Sequence, residues 1–316
     1  MLWNQTYGGT DYNEGHAVIQ TVDGGFALVG DIDNSFGARD IWLVKTDANG
    51  VMLWNQKYGS STSEVGRSVI QTVDGGFALV GISYKWDDMW LVKTDANGVM
   101  LWNQTYGGTE YDKGHAVIQT VDGGFALAGS TCSDDKGYDM YLVKTDANGV
   151  TLWNQTYGGT NSDWAFDLVQ TADGGFALVG FTESYGAGGS DMYLVKTDPN
   201  GVMLWNQTYG GTEFDEGRAV IQTFDGGFAL AGVTSSFGTE GIVRDFDKQL
   251  RTGNIWLVKT DSNGTIQPSS TPTTPSSTTI SSSTPPRSTT PGWGPISLFV
   301  AAVVPTTWYK RLKGLK

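Results

Sequence analysis

The sequence predicts an all-β fold: a five-bladed β-propeller-like repeat domain of four-stranded antiparallel blades over residues 1–267. Three observations carry this. A segment reading Leu-Trp-Asn-Gln-Thr-Tyr-Gly-Gly recurs in near-copies, its Trp falling at Trp3, Trp54, Trp102, Trp153 and Trp205, spaced 51, 48, 51 and 52 residues apart. Asp-Gly-Gly recurs at Asp23, Asp74, Asp122, Asp173 and Asp225, each time between two short apolar runs. The 316 residues include 44 Gly but only 9 Pro, and 12% are aromatic, which suits many tight turns around a large core. The period is too long for the coils of a β-helix, and the 3.6-residue apolar pattern that helical repeats need is missing.

Each copy divides into four strands. In the first copy, strand one runs from Ala17 to Thr21 and strand two from Phe26 to Val29. The Asp23-Gly24-Gly25 between them is hairpin chemistry, because Gly accepts positive φ without steric cost and Asp bonds nearby backbone amides. Strand two is apolar on both faces and so needs cover on two sides, as when sheets stack face to face. Strand three is Ile41 to Thr46, and the turn Asp47-Ala48-Asn49-Gly50 leads into strand four, Val51 to Gln56. The turn recurs over 95–98, 146–149, 198–201 and 261–264, once with Pro199, whose preset φ suits an early turn position. The phase of the repeat bears on closure: Leu2 to Gln5 reads as a fourth strand with no third strand before it, while the last copy ends on a third strand, Ile255 to Thr260. The expectation is that the first segment completes the last blade and closes the ring, removing two sheet edges. The alternative is that the five copies belong to a larger ring. Met1 opens in mid-repeat, which suggests a reading frame cut at its N-terminus with the export signal lost.

Charge and cysteine usage narrow the function classes. Residues 1–267 hold all 33 acidic side chains against 15 of the 20 basic ones, a net of −18, so nucleic acid is an unfavoured partner. Cys132 is the only cysteine, so no intrachain disulfide forms. Beyond the repeats, 22 of the 24 residues from Pro268 to Pro291 are Ser, Thr or Pro, which reads as a disordered stalk over 268–292. The segment 293–309 is a short apolar helix with Trp293 and Tyr309 at its ends, near the lower limit for a membrane span, and 310–316 is a basic cytoplasmic end. This places the repeats at the cell surface, anchored to the membrane by the C-terminal segment.

The tail resembles the C-terminal sorting signals of archaeal surface proteins: a Thr-rich stalk, a Pro-Gly-Phe motif (here Pro291-Gly292-Trp293), a hydrophobic helix and a basic end. Over residues 1–264 the motifs W-x-x-x-Y-G-G, D-G-G-[FY] and [WY]-L-[VI]-K-T-D-x-N-G resemble those of secreted and surface β-propeller-like repeat proteins of bacteria and archaea. The resemblance implies a surface or secreted module and brings no defined activity.

Catalysis finds little support. His16 and His115 share a repeat position with Arg67, Phe166 and Arg218, and a position that accepts all three residue types reads as packing or surface, not as a general base. No nucleophile motif, zinc-ligand spacing or phosphate loop is present, and no cofactor is implied. Calcium is the one ion left open, by the Asp47–Gly50 turn and by the cluster Asp11, Asn13 and Glu14, although a hairpin turn and solvated carboxylates explain both. Lys45, Lys93, Lys144, Lys196 and Lys259 sit between apolar residues in every third strand, and each needs a carboxylate partner; Asp23, Asp74, Asp122, Asp173 and Asp225 are the first candidates. Sequons at Asn4, Asn103, Asn154, Asn206 and Asn263 are glycosylation candidates. The loops between strands two and three vary most, and there Phe36, Tyr84, Tyr185 and Phe237 read as inter-blade packing. Trp86 and the insert holding Arg244, Asp245, Asp247 and Arg251 have no counterparts and are the ligand-contact candidates. The functional expectation is a non-catalytic surface binding or adhesion module for protein or glycan. The alternatives are a polysaccharide hydrolase or lyase with a carboxylate pair near the axis, and a purely structural envelope component.

Overall fold

The computed structural model describes residues 2–9, 12–33, 37–85, 87–132, 137–238 and 253–266, all within the first of two units into which the chain divides, Met1–Pro268. The stalk, apolar segment and basic end expected over 268–316 lie outside the described residues, as do Asp11, Phe36, Trp86, Arg244, Asp245, Asp247 and Arg251.

Blade 1 is β1–β4 (Asn13–Gln20, Phe26–Asp33, Arg39–Thr46, Met52–Tyr58) and blade 2 is β5–β8 (Glu64–Gln71, Phe77–Ser83, Asp88–Thr94, Met100–Tyr106). Blade 3 is β9–β12 (Asp112–Gln119, Phe125–Cys132, Tyr138–Thr145, Thr151–Tyr157) and blade 4 is β13–β16 (Asp163–Gln170, Phe176–Thr182, Asp191–Thr197, Met203–Tyr209). Blade 5 holds β17–β19 (Asp215–Gln222, Phe228–Thr234, Asn254–Thr260). Each blade is an antiparallel meander in chain order; among the described residues the first four have four strands and the last has three. The fold is therefore all-β and propeller-like. Among the described residues, no helix is long and apolar enough to cross a membrane.

Two of the recurrent motifs act as the sequence suggests. Gly24 takes φ +84° in the Asp-Gly-Gly turn, with Gly25 N donating to Asp23 Oδ1 at 3.0 Å. Asp47 Oδ1 accepts from Asn49 N at 2.9 Å and Val51 N at 2.8 Å, so this carboxylate pins a turn and is not held out for calcium.

The core lies between blades. Apolar clusters join blades 1 and 2 (Val29, Ile41, Leu43 with Val69, Phe77, Leu79), 2 and 3, 3 and 4, and 4 and 5. This explains why strand two is apolar on both faces: one face meets the preceding blade and the other the following one. Each interface carries the same polar latches. Trp54 meets Phe77 edge-on at 5.7 Å, Tyr58 Oη donates to Gly98 O at 2.6 Å, and Gln71 Oε1 accepts from Val22 N at 2.9 Å.

The structure departs from expectation in two places. Strands one and two run longer than predicted, with β1 starting at Asn13 and β2 ending at Asp33, because pairing continues past a bulge at His16 that the sequence does not announce. The first segment does not complete the last blade. Residues 2–9 form no strand and lie on blade 1, with Trp3 edge-on to Phe26 at 5.9 Å and Tyr7 Oη donating to Gly50 O at 2.5 Å. Among the described residues, no apolar cluster joins blade 5 to blade 1.

Candidate axial ligand site

The first strands of neighbouring blades pack against one another, β1 on β5, β5 on β9, β9 on β13 and β13 on β17, so these strands lie nearest the axis. In all five the pairing with the second strand skips one residue: His16, Arg67, His115, Phe166 and Arg218 have no partner across the ladder. A bulge bends its strand and re-aims the unpaired side chain, and five bulges at one repeat position aim one row of side chains.

That row, with its neighbours two residues back, gathers cations and aromatic rings. The His115 ring lies 5.1 Å from Phe166 and 5.8 Å from Trp164. The Arg218 guanidinium sits over Phe166 at 4.3 Å, and Lys113 Nζ lies 4.3 Å from the Trp164 ring and 4.6 Å from Tyr138. Trp164 stacks on Phe181 at 6.0 Å. Burial, then the charges of Arg67, Lys113 and Arg218, push the His115 imidazole down to about 3, so it is neutral at physiological pH. Burial and Arg67 also lower the Lys113 ammonium. Arg218 is paired with Glu216, whereas Arg67 Nε and His115 Nε2 are buried without a hydrogen-bond partner among the described residues. The cations of Arg67 and Lys113 are suited to holding an anionic group, with flat rings alongside to contact an apolar or sugar face.

Two carboxylates border the row. His16 Nε2 lies 3.0 Å from buried Asp31, whose other oxygen accepts from Gly66 N of the next blade at 3.0 Å. Glu14, His16 and Asp31 bring three potential metal-ligand atoms within 4.8 Å of one another, but Arg39 approaches Asp31 at 4.0 Å and Arg67 reaches His16 Nδ1 at 3.5 Å, which works against a cation there. Asp167 Oδ2 accepts from Val220 N at 2.9 Å, and burial raises its carboxyl to about 6.

The residues expected from sequence fall elsewhere. Lys45, Lys93, Lys144, Lys196 and Lys259 lie 2.8–2.9 Å from Asp23, Asp74, Asp122, Asp173 and Asp225 respectively, at the Asp-Gly-Gly end of the blades and away from the bulges. Each ammonium also donates to the carbonyl of the following Thr, as Lys93 does to Thr94 O at 2.8 Å. Asn4, Asn103, Asn154, Asn206 and Asn263 are all exposed. Asn103 Oδ1 nevertheless accepts the indole N–H of Trp90 at 3.1 Å, and Asn55, which lacks the sequon, does the same for Trp42 at 3.0 Å, so the asparagine recurs for a structural reason too. Tyr185 Oη donates to Gly158 O of the preceding blade at 2.7 Å, and Phe237 meets Trp256 at 5.4 Å. The axial row itself reads in sequence as packing or surface because it varies. Its only signal was position, the residue after a recurrent Gly or Ala at the start of strand one.

No protein-family model matches the chain, and no curated protein matches its sequence. In structure it is similar to the WD40 domain of Neurospora crassa Pan2, at 11% identity and a TM-score of 0.53, covering 81% of this chain and 65% of that one. A protein of unknown function from Bacteroides caccae is similar at 12% identity and a TM-score of 0.49, with 80% of each chain covered. At such identities the likeness speaks to fold alone, and the fold is a β-propeller one.

Proposed function

We propose that this chain is a non-catalytic binding module whose bulged axial row takes a ligand bearing an anionic group, a carboxylate-bearing saccharide being the chemistry that fits. The observation that carries the reading is the set of five bulges at one repeat position, delivering Arg67, His115, Phe166 and Arg218 beside Lys113 and Trp164. Guanidinium groups hold carboxylates through paired hydrogen bonds, and Trp and Phe faces contact sugar rings. The net of −18 over residues 1–267 resists long polyanions, so an isolated acidic group on an otherwise neutral glycan is favoured over a nucleic acid. A two-carboxylate hydrolase has less support, since none of the five row positions is acidic. Display at a cell surface is supported by the Ser/Thr/Pro segment and the apolar, base-ended tail.

A glycan array probed with the full chain, comparing acidic sugars with their neutral counterparts, tests this. Acidic sugars should bind, and Arg67→Ala or Arg218→Ala should each weaken binding roughly 10-fold or more, the range for loss of a charge-assisted hydrogen bond. Equal binding of neutral sugars, or indifference to both substitutions, would overturn the reading.

A further inference from the structure

We infer that the two ends of the blade array are complementary docking faces, and that a second copy of this chain occupies them head to tail. Among the described residues, nothing covers the face that blade 5 presents onward. Ile255 and Leu257 are 96% and 71% exposed, whereas their counterparts Ile41 and Leu43 in blade 1 are fully covered by blade 2. The face that blade 1 presents backward is bare in the matching way. Val18 is 61% exposed, against 2% for Val69 and Val117, its equivalents in blades 2 and 3. Gly15 has open space before it, whereas a Cβ on Gly66 would come within 2.8 Å of Ile41 and Val29 of the preceding blade. A groove of about 100 Å3 on this side is lined by Tyr7, Gly15, Leu28, Trp42 and Val44.

What fits these faces is written in the four internal interfaces, where the same two surfaces already meet. The first segment strengthens the case. Trp3 and Tyr7 touch Phe26 and Gly50 as Trp54 and Tyr58, from the outer strand of blade 1, touch Phe77 and Gly98 of blade 2. Leu2 to Tyr7 thus already lies where an outer strand would sit in front of blade 1, while among the described residues no fourth strand pairs with β19 beyond its bridge from Thr260 to Ile266. Transferring the internal register of Ile41 opposite Tyr58, Leu43 opposite Gln56 and Lys45 opposite Trp54 sets Ile255 opposite Tyr7, Leu257 opposite Gln5 and Lys259 opposite Trp3 of the second copy. The Gln20 amide then takes the place beside Phe224 N that Gln71 holds beside Val22 N. Docking covers two apolar faces and supplies a fourth strand in one step. Because the contact is heterologous, each added copy leaves one face of each kind bare, so growth passes beyond a dimer.

The test is sedimentation velocity of the full chain over a concentration series, alongside the variants Val18→Asp and Leu257→Asp. Both side chains are exposed, so the variants should keep the far-UV circular dichroism of the parent. The parent should show mass rising with concentration, each variant alone should stay monomeric, and an equimolar mixture should stop at a one-to-one dimer through the single intact pair of faces. A parent that is monomeric at every concentration, whether through closure of its own ends or bare ends, would overturn the inference. So would association that survives either substitution, or a mixture that fails to pair.

Discussion

At the scale of single residues, the Lys–Asp pairs are asymmetric, and the asymmetry sets the cost of breaking them. The Lys93 side chain is only 6% exposed while Asp74 is 55% exposed. Removing the carboxylate altogether leaves a buried ammonium with one carbonyl for company, so Asp74→Ala should cost about 3 kcal/mol; Lys93→Met leaves a carboxylate that water can serve and should cost about 1 kcal/mol or less. Urea unfolding of the two variants checks the order as well as the sizes. Burial would raise the Asp74 carboxyl, but hydrogen bonds from Lys93, Thr72 and Gly76 outweigh it and hold it at about 2, and Asp173 is held likewise. These depressed groups lend stability that is present above the ordinary Asp value near ~3.9 and lost as pH falls towards 2. Asp167 has the opposite sign. Its carboxyl is raised to about 6, so the folded state prefers the protonated form, and the stability this lends is full below ~3.9 and lost as pH rises through 6. Asp167→Asn keeps an acceptor for Val220 N without the charge. It should therefore stabilise the protein by about 2 kcal/mol at pH 7 and by nothing at pH 3, measured by thermal unfolding at the two values.

At the scale of the element, the bulge ties fold to site, and it is where sequence reading reached its limit. Strand order, turn chemistry and the carboxylate partners of the lysines are legible because each rests on local pattern: alternation, Asp-Gly-Gly, an ammonium among apolar residues. A bulge is a mismatch of register between two strands, and nothing in β1 alone marks His16 as the unpaired residue; the information sits in its partner, where Gly30 lies opposite. Sequence variation at the bulge then reads as unimportance, although variation is what a specificity row on a repeated scaffold would show. The recurrent glycine opposite the bulge provides a test. A Cβ on Gly81 would enter the carbonyl of Val65, so Gly81→Ala must force the bulge out or push the strands apart. It should destabilise blade 2 by about 2 kcal/mol or more and displace Arg67, weakening ligand binding even where the protein remains folded. Tracking both readouts separates this from Val65→Ala, which trims a side chain and leaves the bulge in place.

At the scale of the whole molecule, stability should be graded along the array. In a repeat protein each unit is held by its own pairing and by the interfaces on either side. Among the described residues, blades 2, 3 and 4 have an apolar interface on both faces, blades 1 and 5 have one each, and blade 5 has three strands. Their central strands show the consequence: β6 is buried along its whole length, whereas β18 is fully covered at only three of its seven positions and exposes Ala231. Native-state amide exchange on dilute protein should therefore show β18 and β2 opening at least roughly 10-fold faster than β6, β10 and β14, a difference that each ~1.4 kcal/mol of missing interface supplies. Raising the protein concentration should slow exchange in the end blades and leave the middle three unchanged, because only the ends gain a neighbour when copies dock. Even protection across all five blades in dilute solution would mean that the chain closes on itself, with Ile255, Leu257 and Val18 covered from within.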